Sequence, residues 1–127
     1  MNQLATIIRL QQLADGNDGT EVMWLYGSRV KGTATNRSDY DLAIALRNTH
    51  NCQQSYYLDE LAYQWSLDTQ QKITIIDINH IPTPLAYNVI SEGDVIICKN
   101  SFRLHVEQAR IWSLWEAYKY EYTKSRT

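Results

Sequence analysis

The stretch LYGSRVKGTATNRSDYDLAI, from Leu25 to Ile44, constrains the fold of this chain more than any other. One apolar run, Val22-Met23-Trp24-Leu25-Tyr26, stops at Gly27-Ser28, and a second, Tyr40 to Leu46, opens with Asp39 and Asp41 two residues apart. Both runs are rich in strand formers, and the glycine marks a tight turn of the backbone. Between them Ser28 reads as the cap of a short helix through about Ala34, with Thr35-Asn36-Arg37-Ser38 as a loop. Side chains alternate along a strand, so Asp39 and Asp41 share one side about 6.5 to 7 Å apart while Tyr40 points away. Carboxylates that close resist joint ionisation unless a cation neutralises them.

Hard Mg²⁺ takes oxygen ligands of this kind together with phosphate oxygens, which makes Asp39 and Asp41 candidate metal ligands. A third carboxylate from a neighbouring strand would complete a two-metal cradle, and Asp77, an acid at the end of Ile73-Thr74-Ile75-Ile76, is the candidate. A cap or an ion pair is the competing reading of Asp77. Gly27 lets a phosphate approach the backbone, and Ser28 adds a hydroxyl at the start of a helix whose amides are free. Arg29, Lys31 and Arg37 are nearby cations for the outer phosphates. A glycine after a strand is an ordinary turn, and a DxD triplet is common on solvated strand edges. Together, at this spacing, they point to a site.

The remaining elements alternate in the same way. Leu4, Ile7, Ile8, Leu10 and Leu13 predict an opening helix stopped by Asp15-Gly16-Asn17-Asp18-Gly19. Tyr56, Leu58, Leu61, Ala62, Trp65 and Leu67 predict a helix ending near Asp68, followed by a third strand over Ile73 to Ile78. Pro82 and Pro84 introduce a helix over Leu85 to Ser91, Glu92-Gly93 ends it, and Val95 to Cys98 forms a fourth strand. A terminal helix runs from Ser101 to about Lys124 with Leu104, Ile111, Trp115, Tyr118 and Tyr122 at helical spacing. Phe102, Trp112 and Tyr120 add aromatics beyond one buried stripe, and either packing on the sheet or a partner interface accounts for them.

At 127 residues the chain is expected to form a single domain, with a core over about 22–98 and the terminal helix over about 101–124. A net charge of −2, from 12 basic and 14 acidic residues, argues against extended nucleic acid as a partner. No segment is long and apolar enough to cross a membrane, and the N-terminus lacks a secretory pattern, so a cytoplasmic location is expected. Cys52 and Cys98 form no CxxC pair and read as buried structural residues of a reducing compartment, and His50, His80 and His105 lack zinc spacing.

Gly27-Ser28, ten residues, then Asp39-Tyr40-Asp41 resembles the motif of the nucleotidyltransferase (DNA polymerase β-like) superfamily. The form GSRVKGTA…SDYDLAI is most similar to the minimal nucleotidyltransferase (MNT) antitoxins encoded beside HEPN ribonuclease toxins. The resemblance covers Val22 to Cys98. It implies an α/β (α+β) fold with a mixed four- to five-stranded sheet flanked by helices, ATP as substrate, Mg²⁺ as two ions, and a hetero-oligomeric complex with the toxin. It also implies transfer of AMP to a toxin tyrosine. Carried over, Gly27 and Ser28 bind the triphosphate, Asp39 and Asp41 hold metal, and Asp77 is the third carboxylate. Two alternatives stand beside it: an antitoxin that inhibits by binding alone, and an enzyme acting on a small molecule of the aminoglycoside type. The second usually needs an added substrate domain, and the first has no use for two adjacent repelling carboxylates.

Overall fold

The computed structural model describes residues 2–47 and 54–125, so His50 and Cys52 lie outside the described residues. Helix α1 (Gln3–Asp15) leads to strand β1 (Thr20–Tyr26), the short helix α2 (Ser28–Lys31) and strand β2 (Tyr40–Leu46). Helix α3 (Gln54–Thr69), strand β3 (Ile73–Asp77), helix α4 (Thr83–Glu92), strand β4 (Asp94–Cys98) and helix α5 (Ser101–Ser125) follow. The four strands form one sheet in the order β3-β2-β1-β4. β1 is antiparallel to both β2 and β4, whereas β2 and β3 are parallel. A parallel pair needs a crossover, and α3 supplies it.

Alternation along β1 and β2 divides the apolar side chains between two faces. Met23 and Leu25 with Leu42, Ile44 and Leu46 pack against Leu10 of α1 and Leu58, Leu61 and Trp65 of α3. Val22 and Trp24 with Ala43 and Ala45 pack against Ala86 and Val89 of α4 and Ile111 of α5. Because β3 and β4 are opposite edges, α4 must cross the sheet to join them. α5 returns antiparallel to it, so Ile90 and Ser91 share an open groove of about 390 Å³ with His105 and Gln108, while Tyr87 meets Trp112 and Trp115.

Several expectations need correction. Leu4 and Ile8 are exposed, and α1 buries Thr6, Leu10 and Ala14 with Ile7 and Leu13 flanking them. In α3, Tyr56 and Leu67 are likewise exposed while Leu58, Leu61 and Trp65 enter the core. α2 stops at Lys31, because Gly32 turns left-handed at φ 76°, and its cap is Gly27 rather than Ser28. Cys98 is exposed on the edge strand. On α5 the stripe leaves the core after Ile111: Trp115 stacks on Tyr87 with centroids 4.5 Å apart, Tyr118 stacks on Trp115 at 5.5 Å, and Tyr118 and Tyr122 stay exposed. Among the described residues, no helix is long and apolar enough to cross a membrane.

Candidate active site

β1 ends where β2 begins, and the antiparallel register sets Tyr26 opposite Asp41. Gly27 follows with φ 80° and ψ −151°, a conformation side chains rarely adopt. Its missing side chain is also a requirement of space, because a Cβ there would stand 2.5 Å from Asp41 Oδ2. The bare α carbon thus leaves the carboxylate room at the end of β1. Asp39 precedes the first residue of β2, two positions before Asp41, and alternation puts both acids on the face that carries α4 and α5.

The parallel partner strand completes the surroundings. Asp41 pairs in register with Thr74, whose hydroxyl donates to Asp41 Oδ1 at 2.8 Å. Two residues earlier, Lys72 Nζ lies 3.8 Å from Asp39 Oδ2. Tyr26, half-buried, keeps its phenolic proton: burial, with the Asp41 charge added, pushes its pKa up to about 12. Two carboxylates are therefore flanked by a hydroxyl, an ammonium and a neutral phenol. Neither Thr74 nor Lys72 stands out in the sequence.

Asp77 is not brought to this pair. It registers with Ile44, three residues beyond the Asp41–Thr74 pair, or about 10 Å along the strand. An odd offset also places it on the opposite face from Thr74, with Ile73 and Ile75. Its carboxylate is 7% exposed and already engaged: Oδ1 accepts from the Asn79 amide at 2.8 Å and Oδ2 pairs with His80 Nδ1 at 2.8 Å. Among the described residues no three acidic, histidine or cysteine side chains gather into a metal-binding group. The cap reading accounts for Asp77.

The expected phosphate-binding cations separate as well. Arg29 is turned into the fold, donating to Ser38 O at 2.8 Å and Gln3 Oε1 at 3.3 Å, with its guanidinium 4.2 Å above the Tyr40 ring. It braces the loop that delivers Asp39. Lys31 Nζ lies 3.4 Å from Glu92 Oε2, tying α2 to the end of α4. Arg37 is exposed, and its guanidinium makes no hydrogen bond or ion pair among the described residues. The Ser28 hydroxyl, at the first position of α2, is also unbonded among them.

A second polar cluster occupies the other end of the sheet. Glu107 of α5, 3% exposed, accepts from Asn79 Nδ2 at 3.0 Å, Arg103 Nε at 2.9 Å and Arg110 NH2 at 2.7 Å. Arg103 also donates to Leu46 O and to Asn79 Oδ1, and Arg110 to Ile78 O, which clamps α5 to β2 and to the end of β3. Burial disfavours the Glu107 charge, but the hydrogen bonds from Asn79, Arg110 and Arg103 outweigh it and hold its pKa below the ordinary value.

Against known proteins, the polymerase beta nucleotidyltransferase family model matches residues 9–102. No curated protein matches the sequence. Solved structures match over nearly the whole chain. A toxin–antitoxin structure with AMP-PNP is 20% identical with a TM-score of 0.77, covering 97% of this chain and 94% of its own. An MNT antitoxin in complex with a tri-AMPylated HEPN toxin from Shewanella oneidensis is 16% identical with a TM-score of 0.76, covering 97% and 94%. The MntA-HepT toxin–antitoxin structure is 16% identical with a TM-score of 0.75, covering 96% and 94%. At these identities the likeness is one of fold.

Proposed function

Because the chain belongs to the polymerase beta nucleotidyltransferase family, we propose that it is an antitoxin that transfers AMP from ATP to a tyrosine of a cognate HEPN ribonuclease toxin in the cytoplasm. The observation that carries this reading is Asp41 seated against the bare α carbon of Gly27 with Asp39 beside it. The toxin–antitoxin neighbours, one holding AMP-PNP and one an AMPylated toxin, support the choice of substrate and partner.

The donor set suits a hard divalent cation: two carboxylates on one face, one of them oriented by Thr74. Asp39 and Asp41 would hold Mg²⁺, which when bound neutralises the triphosphate and polarises the α-phosphate. Gly27 leaves room for phosphate oxygens, the Ser28 hydroxyl is free to donate to them, and Arg37, two residues before Asp39, is an exposed cation without an ion pair among the described residues. Arg29 orients the loop before Asp39 and Lys31 holds α2. The toxin phenol oxygen bonds to the α-phosphorus as the bond to pyrophosphate breaks. Its proton leaves to solvent, and pyrophosphate departs with the electron pair of the broken bond.

Intact mass spectrometry of a HEPN toxin after incubation with this protein, ATP and Mg²⁺ tests the reading. The toxin should gain one or more AMP units with the intact protein and none with Asp39→Asn/Asp41→Asn. A stable complex with no added mass would instead favour inhibition by binding.

A further inference from the structure

The flank on which a second metal ion would need a ligand carries no acid. The parallel register aligns Asp41 with Thr74 and Tyr40 with Ile73, so Lys72 stands abreast of Asp39. A backbone bond from Tyr40 N to Lys72 O, 2.9 Å long, locks that alignment at the strand start. Thr74 turns its hydroxyl onto Asp41, and Lys72 directs its ammonium toward Asp39. On the other flank β1 offers Gly27, and Tyr26 in register with Asp41. Neither strand flanking the acidic pair therefore brings a third carboxylate to it.

We propose that the site takes a single divalent cation, with Thr74 occupying the position of a third metal ligand and the Lys72 ammonium supplying the second positive charge. The inference rests on the nucleotidyltransferase reading of this site. Two-ion catalysis needs oxygen ligands for a second dication beyond those the acidic pair gives the first, and the partner-strand position beside Asp41 is filled here by a hydroxyl rather than a carboxylate. A threonine hydroxyl that already donates to Asp41 adds no charge. A lysine beside Asp39 repels a second dication while attracting phosphate oxygens as a point charge. Lys72 is largely exposed on a flexible stem, so it can follow the triphosphate without dismantling the pair. Asp77 cannot relieve the deficit, since it lies on the opposite face with its oxygens engaged.

The test counts ions without turnover. Mn²⁺ is titrated into the protein in the presence of a non-hydrolysable ATP analogue and followed by electron paramagnetic resonance and calorimetry. The wild-type chain should bind one Mn²⁺ per molecule, and Thr74→Asp/Lys72→Met should bind two, the second within about tenfold of the first in Kd. Two ions of comparable affinity on the wild-type chain would overturn the inference and leave nucleotidyl transfer standing. No ion at all would overturn that reading, and this one with it. Should the variant fail to fold, the wild-type count alone decides.

Discussion

The two ends of the sheet carry similar ingredients put to opposite use. At the end of β3, Glu107 is buried and surrounded by Asn79, Arg103 and Arg110, each hydrogen-bonded to it. At the start of β2, Asp39 and Asp41 have a hydroxyl, one exposed lysine and the bare α carbon of Gly27. The first cluster is complete without a ligand, and the second is not. A buried acid satisfied on every side belongs to the architecture, whereas an acidic pair left short of cations, at a point where the backbone makes room, is where the proposed transfer is assigned.

That contrast is broken most directly at the acidic pair. Asp39→Asn with Asp41→Asn should lower AMP transfer by about 10³-fold or more, the size expected when metal-borne charge stabilisation worth several kcal/mol is lost. The melting temperature should hold or rise, since the substitution removes repulsion. Single-turnover rates read beside thermal melts check both halves. Glu107→Ala should do the reverse, costing about 3–5 kcal/mol of stability because it strands two partly buried arginines. The transfer rate per folded molecule should be unchanged. Urea unfolding with activity measured on the folded fraction distinguishes them, and a stable but inactive Glu107→Ala would dissolve the distinction between the two ends.

Much of the site was legible locally. A glycine ending an apolar run and a DxD triplet opening the next are short-range patterns, and β1, β2 and the Asp39–Asp41 pair follow from them. What escaped depends on partners distant in the chain. Parity within Ile73-Thr74-Ile75-Ile76-Asp77 already sets Asp77 and Thr74 on opposite faces, but which of them joins Asp41 is decided by the β2–β3 register. Arg29 was unreadable for the same reason, because its partners Gln3 and Ser38 come from elements on either side of it. Leu4 and Ile8 lie on the apolar arc of α1, yet the helix is rotated to set Thr6, Leu10 and Ala14 into the core. The aromatics of α5 illustrate the converse: helical spacing located the stripe, but past Ile111 it leaves the core and Trp115 stacks on Tyr87 of α4 instead.

Gly27→Ala sharpens the comparison with a smaller effect. The methyl group would strain a backbone held at φ 80° and press Asp41 Oδ2 away from its seat. Destabilisation of about 1–3 kcal/mol is expected from the backbone alone. Nucleotide affinity should fall by about tenfold more than in an alanine variant of Gly32, which also has positive φ but faces open space. Equal losses at the two glycines would mean that the close approach to Asp41 carries no functional weight.

The mildest test is acid titration of the far cluster. Glu107 binds its proton less tightly in the folded chain than the ordinary value of 4.5, because its hydrogen bonds to Asn79, Arg110 and Arg103 overcome the opposing effect of burial. Below about pH 4.5 the unfolded chain takes up that proton first, so the stability this cluster contributes is complete above 4.5 and declines as pH falls through the lower native value. Unfolding free energies measured across that range should therefore drop on acidification in the wild-type chain. Glu107→Gln, which cannot titrate, should begin from a lower stability and show a shallower acid limb. Parallel limbs in the two proteins would remove Glu107 as the source of the acid sensitivity and, with it, the claim that this end of the sheet is held by a fully satisfied charge.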